Sequence, residues 1–214
     1  MISAHVSAMQ NFNPRNIGGL LCWLEAGSLE LTDNAEVTTW TDIGEGGNNA
    51  TQSDSSLKPI LKTGVLNGRD VVRFDGTKYL DLPASGISTN AFAGGTMFIV
   101  GKRSSYTQPF GQCEGSNNRG MVGSAFPAYA MYNNYFRNGI SANPNFANTD
   151  FAIISSYGNR TASSQRDFYA RIGFGTPSYR YLIGDIAEVI FYASELSTAS
   201  RQKVEKYLSI KYAI

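Results

Sequence analysis

The sequence predicts an all-β fold: a jelly-roll sandwich of two antiparallel sheets with one α-helix at the C-terminus. The 214 residues include 22 glycines, 12 tyrosines and 12 phenylalanines, a composition typical of short strands joined by turns. Helical spacing of apolar residues is clear only near the end of the chain. With 42% hydrophobic residues, the chain can bury one sizeable core, so we expect a single domain over residues 18–214.

The first half of the chain alternates between turn signals and short apolar runs. Residues 1–17 have no consistent period, so we expect an N-terminal arm that clasps a neighbouring subunit. Gly19–Ala26 predicts a strand that is buried on both faces where it begins. Asn67 and Gly68 predict a two-residue hairpin turn, because both can adopt positive φ. Thr96–Val100 is apolar on both faces and predicts a further strand.

The C-terminal residues switch from strand spacing to helical spacing. Asp185–Tyr192 carries apolar side chains on both faces, which predicts a central strand rather than an edge strand. Ser197 offers a hydroxyl to the first free backbone amides of a helix. One face of that helix is then formed by Val204, Tyr207, Leu208 and Lys211.

Several blocks of the sequence resemble a known family, and they occur in the family's order. The ending has the form G-x-IAEVI-x-Y, a short link, L-S, and a helix ending in V-E-x-YL-x-x-KY. It resembles the laminin-G-like modules of bacteria and phages in the concanavalin A-like lectin/glucanase superfamily. The resemblance implies a jelly roll, and it fades between Ser104 and Arg180, where loops of such modules carry binding. The other matching blocks are Gly19–Ala26, Val37–Asp42, Asn48–Gln52, Lys58–Leu61 and Leu66–Gly76.

The unmatched middle of the chain holds the candidate contact residues for a ligand or a partner. Aromatic faces suit the C–H surfaces of sugars, and neighbouring amides suit their hydroxyls. Aromatic and amide side chains at the rim of a sandwich serve protein interfaces equally well, so a sugar site, a protein interface and a plain rim all stay open. The candidates are Tyr106, Phe110, Tyr129, Tyr132, Tyr135, Phe136 and Arg137.

The sequence predicts a chain that is not an enzyme and has no catalytic residue. Glucanases of this superfamily carry E-x-D-x-E or E-x-D-x-x-E on one strand, and neither pattern occurs here. Asp185 and Glu188 are three residues apart, which predicts that they point to opposite faces of a regular strand. His5 is the only histidine and lies in the arm, and no G-x-S-x-G elbow is present.

Glu188 is a carboxylate inside an otherwise apolar strand, and such a group needs a partner. Arg73 lies in an equally apolar block and is the candidate cation. We therefore expect a structural ion pair between Arg73 and Glu188 in preference to a ligand contact.

Composition argues against several other classes of partner. The net charge is +1 and the basic residues are scattered, so we expect no nucleic-acid binding. No dense run of acidic residues indicates a metal site, and we expect no metal and no cofactor. No stretch is long and apolar enough for membrane insertion.

The function predicted from the sequence is a non-catalytic structural or binding module. We expect a bacteriophage virion protein, either a capsid decoration protein or a fibre-like component. Its partners would be the major capsid protein, fibre or tail components, or further copies of itself. Residues 1–19 have no basic start and no apolar core of seven or more residues, so we expect no export signal there. We therefore expect synthesis in the host cytoplasm and incorporation into the virion. The alternative is a carbohydrate-binding adhesin of lectin type that binds surface glycans at an extracellular surface.

Overall fold

The computed structural model describes residues 12–83, 95–105, 110–113, 119–120, 134–142, 149–157, 170–174 and 181–214. Within them, the predicted all-β sandwich of two antiparallel sheets with a C-terminal helix is confirmed. In chain order the elements are β1 (Leu20–Glu25), β2 (Thr39–Trp40), β3 (Ala50–Thr51), β4 (Ile60–Leu66), β5 (Arg69–Asp75), β6 (Leu80–Leu82), β7 (Thr96–Arg103), β8 (Gly111–Cys113), β9 (Arg119–Gly120), β10 (Asn134–Arg137), β11 (Ile140–Ser141), β12 (Ala152–Tyr157), β13 (Ala170–Ile172), β14 (Ile183–Tyr192) and α1 (Thr198–Tyr212).

The two sheets differ in size, and strand β14 lies at the centre of the larger one. The large sheet has the order β11-β10-β12-β7-β14-β5-β4, and the small sheet has the order β2-β3-β6-β13-β8-β9. One edge of β14 pairs with β7 along its length. Its other edge pairs with β5 near its start and with β1 near its end. The prediction of a central strand at the C-terminal end is therefore confirmed.

The hairpin between β4 and β5 turns where the sequence predicted. Asn67 has φ 50° and Gly68 has φ 82°, the pair of positive angles that a two-residue hairpin turn requires. The side-chain amide of Asn67 also donates to the Tyr212 carbonyl oxygen at 2.8 Å. The turn is thereby joined to the end of helix α1.

A β-bulge in β14 changes which side chains share a face. Ile186 lies opposite Gly101, whereas Glu188 lies opposite Val100, so Ala187 is one extra residue in the register. Asp185 and Glu188 consequently point to the same face of the large sheet, the face that helix α1 covers. The expectation that they occupy opposite faces is wrong, because it assumed an uninterrupted two-residue period.

Two layers of apolar side chains hold the fold together. The layer between the sheets includes Phe74, Ile99 and Phe191. The layer between the large sheet and α1 includes Phe98, Val204 and Leu208. Burying a side chain of this size contributes about 1.5–3 kcal/mol, so α1 is held chiefly by its apolar face. The side chain of Ser197 caps its first turn by accepting from the Ser200 amide at 3.2 Å.

The described end of the predicted arm packs against this chain's own helix layer. The ring of Phe12 lies 5.7 Å from that of Tyr207, and the Tyr192 hydroxyl donates to the Pro14 carbonyl oxygen at 2.9 Å. Residues 1–11 lie outside the described residues. The clasping of a neighbouring subunit stays a prediction.

Among the described residues, no helix combines the length and apolar character needed to cross a membrane.

Candidate functional site

A cleft of about 470 Å³ opens where strands β5 and β7 end and β14 begins. We call it the basic cleft, because three of its described lining side chains are cationic. Two carboxylates also line it, so the described lining residues carry a net charge of +1. Its residues are Arg73, Phe74, Asp75, Lys102, Arg103, Ser104, Thr149, Ile183, Gly184 and Asp185.

A row of three charged residues crosses the sheet at the cleft. Asp185 on β14 lies in register between Arg73 on β5 and Lys102 on β7. The guanidinium of Arg73 donates to both Asp185 carboxylate oxygens, at 2.7 and 3.0 Å, and this raises the pKa of Arg73. The Lys102 ammonium is farther away, at 3.4 Å. Asp185 is buried, whereas the side chains of Arg73 and Lys102 are 39% and 34% exposed.

Arg103 contributes a buried positive charge to the same cleft. Only 1% of the residue is exposed, and its guanidinium carbon lies 5.6 Å from the centre of the Phe110 ring. Burial lowers the pKa of Arg103 to about 10, so the side chain is still charged at neutral pH. A charge in such surroundings acts more strongly on a nearby ligand than a charge in water.

Gly184 and Ile183 shape the cleft. A β-carbon on Gly184 would lie 2.2 Å from the Lys102 carbonyl oxygen, so only glycine allows β14 to approach β7 this closely. Ile183 is 46% exposed and supplies an apolar surface beside the cations. The arrangement offers hydrogen-bond donors and an apolar contact to one ligand, the combination found in small-molecule sites.

The buried carboxylate of Glu188 has partners other than the predicted one. It accepts from Trp23 Nε1 at 2.6 Å, from Lys211 Nζ at 2.7 Å and from the Tyr212 hydroxyl at 2.7 Å. The expected Arg73–Glu188 ion pair is wrong, because register places Asp185 opposite Arg73 and helix α1 brings Lys211 to Glu188. Its surroundings are those of a structural group, and it does not line the basic cleft.

The predicted aromatic candidates are spread over different environments. Phe110 and Tyr135 are buried in the layer between the sheets, which leaves them little surface for a ligand. Phe136 lies between the Tyr157 ring, stacked at 5.8 Å, and the Arg201 guanidinium, 3.7 Å from its centre. Arg137 is half-buried on β10. The remaining candidates, Tyr106, Tyr129 and Tyr132, lie outside the described residues.

A second cluster lies on the small sheet. The Arg171 guanidinium lies 4.7 Å from the Tyr79 ring centre and 4.9 Å from that of Phe174, and it donates to Asp81 at 2.7 Å. The guanidinium thus already contacts two neighbouring rings, whose centres are 5.6 Å apart, and a carboxylate, which suits a structural role better than ligand capture. In the part of the chain that is described, no group of three or more histidine, cysteine, aspartate or glutamate residues could hold a metal ion.

Sequence reasoning missed Lys102 and Arg103 as site residues. They follow the apolar run of β7 directly, so a usable signal was present: two cations at the end of a buried strand. Nothing in the sequence indicated that Arg73, Lys102 and Asp185 would share one row, because they belong to three strands far apart in the chain.

Comparison with known proteins supports the fold. No protein-family model matches the chain, and no curated protein matches it. Among solved structures, the chain resembles the sialidase of Trypanosoma rangeli in complex with sialic acid, at 12% identity and a TM-score of 0.50, over 91% of this chain and 33% of that chain. A second structure, the same sialidase with the inhibitor DANA, matches at 14% identity and a TM-score of 0.46, over 88% and 33% of the two chains. The chain therefore spans about a third of the length of these proteins.

The first of these structures, with a TM-score of 0.50, corrects the expectation that the chain is not an enzyme. That protein is a sialidase, which is an enzyme, so the absence of glucanase carboxylate motifs from this chain does not justify excluding activity. At such low identity the likeness shows a shared fold and assigns no reaction to this chain.

Proposed function

We propose that the chain is a carbohydrate-binding module of lectin type and that a glycan binds in the basic cleft. In this proposal the sandwich is of the concanavalin A-like, laminin-G-like kind. The observation that carries the proposal is the cleft itself, where donors of Arg73 and Lys102 lie beside the exposed surface of Ile183.

The size and chemistry of the cleft support a sugar as its ligand. Small-molecule sites generally enclose about 300–1,000 Å³ and combine apolar walls with a few polar groups, and the basic cleft encloses about 470 Å³. The likeness to a sialidase in complex with sialic acid adds support from a protein that acts on sugars. The virion role predicted from the sequence gains no such support and stays a prediction.

A glycan array followed by calorimetry tests the proposal. We expect saturable binding of at least one glycan class by the purified chain. We also expect Ile183→Glu to lose about tenfold or more in affinity, because it replaces the apolar contact with a carboxylate that competes with the ligand for the donors of the cleft.

The control is Ile210→Glu on helix α1, because Ile210 is similarly exposed, at 39%, and does not line the cleft. Thermal melting checks that both variants fold. An array without saturable binding, or equal affinities for the two variants, would contradict the proposal.

A further inference from the structure

We propose that the glycan held in the basic cleft carries an anionic group, a carboxylate or a sulfate, and that Lys102 is its principal contact. This inference rests on the proposed function and names the class of ligand for the same site.

The first step in the argument is the supply of donors. The side chains of arginine and lysine donate hydrogen bonds and accept none. The carboxylate that faces them, Asp185, already accepts from Arg73 at 2.7 and 3.0 Å and has Lys102 at 3.4 Å. A ligand that reaches this row therefore meets mainly donors, and an anionic acceptor satisfies several of them at once.

The second step distinguishes the two exposed cations. Arg73 is fixed by two hydrogen bonds to Asp185. The Lys102 side chain is 34% exposed, and its ammonium has three donor hydrogens and lies farther from Asp185, at 3.4 Å. Its nitrogen also lies 4.9 Å from the centre of the Phe151 ring, which positions the side chain without supplying a negative charge. Lys102 is thus the cation best placed to turn towards a ligand.

The third step is the balance of charge at the surface of the cleft. Asp185 offsets about one of the two exposed charges of Arg73 and Lys102. The other described carboxylate of the cleft, Asp75, is 57% exposed and lies 3.8 Å from Lys78 outside the cleft, so solvent and Lys78 weaken its effect. The region around Lys102 is left with a positive charge that favours an anion over a neutral sugar.

Matched pairs of sugars test the inference. Calorimetry would compare glucuronic acid with glucose, sialic acid with its methyl ester, and a 6-sulfated with an unsulfated galactoside. We expect the anionic member of at least one pair to bind about tenfold or more tightly, and the ratio to shrink as sodium chloride rises from about 50 to 500 mM. The pairs with glucuronic and sialic acid test a carboxylate, and the galactoside pair tests a sulfate.

Two variants assign the effect to Lys102. Lys102→Gln should weaken binding of the anionic sugar by about tenfold and that of its neutral counterpart by a clearly smaller factor, because glutamine still donates hydrogen bonds but carries no charge. Lys102→Arg should restore part of the loss of anionic-sugar binding. Lys203→Gln, at an exposed position on α1, is the matched control for losing one positive charge.

The outcomes separate this inference from the proposed function. Neutral and anionic sugars that bind equally, with both lost in Ile183→Glu, would overturn the anionic preference and leave glycan binding intact. Binding that Lys102→Gln and Lys203→Gln weaken equally would overturn the role of Lys102. Absence of binding to every glycan would remove the proposed function and this inference together.

Discussion

At the scale of single residues, Lys211 forms salt bridges with two carboxylates that would otherwise repel each other. Glu25 and Glu188 lie directly opposite on β1 and β14, and like charges at such positions are destabilising. The Lys211 ammonium lies 2.7 Å from an oxygen of each. Burial raises the pKa of Glu188, and the charge of Lys211 opposes that rise. Removing the lysine would leave a buried carboxylate without its cation.

We predict that Lys211→Met lowers the free energy of unfolding by about 3 kcal/mol at pH 7, the scale expected when a buried ion pair loses one partner. The pKa of Glu188 would rise further in this variant, so the folded state would bind a proton more readily as pH falls. The destabilisation should therefore be smaller at pH 5 than at pH 7. Urea denaturation at the two pH values measures it.

Lys206→Met is the control for Lys211→Met, because Lys206 is exposed on the same helix and should change stability by no more than about 0.5 kcal/mol. If the two variants were equally stable at pH 7, the salt bridges from Lys211 to Glu25 and Glu188 would contribute nothing measurable to the free energy of unfolding.

At the scale of elements, the bulge in β14 limits which residue type can occupy the facing position of β7. Gly101 pairs with Ile186 where the register shifts. A β-carbon there would lie 2.8 Å from the Asp185 carbonyl oxygen and 2.8 Å from the Phe110 ring. We predict that Gly101→Ala destabilises the fold by about 1–3 kcal/mol, because neither a paired backbone nor a core ring can move freely. Thermal or chemical unfolding measures the loss.

Gly18→Ala is the matched control for Gly101→Ala, since no heavy atom lies within 4 Å of the β-carbon it would add. We expect it to be neutral or slightly stabilising. Equal stability of the two alanine variants would show that the strands relax around the bulge.

The same elements show what the sequence could and could not predict. The hairpin at Asn67 and Gly68, the central strand and helix α1 were predictable, because each has a local signal in turn residues or apolar spacing. The bulge was not, because Ala187 fits an alternating apolar run as well as any other residue. That one extra residue determines which groups contact Glu188 and which side chains of β14 share a face of the sheet. The basic cleft depends on register between three strands, which no local pattern specifies.

At the scale of the whole molecule, two buried tyrosines and one half-buried tyrosine join the helix, the large sheet and residues 12–17. The Tyr192 hydroxyl donates to Pro14, the Tyr212 hydroxyl donates to Glu188, and the Tyr207 hydroxyl accepts from Lys211. Burial raises the pKa of Tyr207 to about 12, and it raises the pKa values of Tyr192 and Tyr212 above the ordinary value of 10.0 as well. Ionising any of these groups would place a negative charge in an apolar layer.

These pKa values predict a marked loss of stability in alkali. Above pH 10 the unfolded chain releases tyrosine protons that the folded chain retains, so the folded state binds more protons and the free energy of unfolding falls as pH rises. For Tyr207 the fall extends from pH 10 to about 12, with a slope of at most about 1.4 kcal/mol per pH unit for each tyrosine. Urea unfolding at pH 9, 10 and 11 should show this slope. Tyr207→Phe should make this slope less steep, because one tyrosine no longer contributes to it. A slope equal to that of the wild type would show that the Tyr207 hydroxyl has the same pKa in the folded and unfolded states.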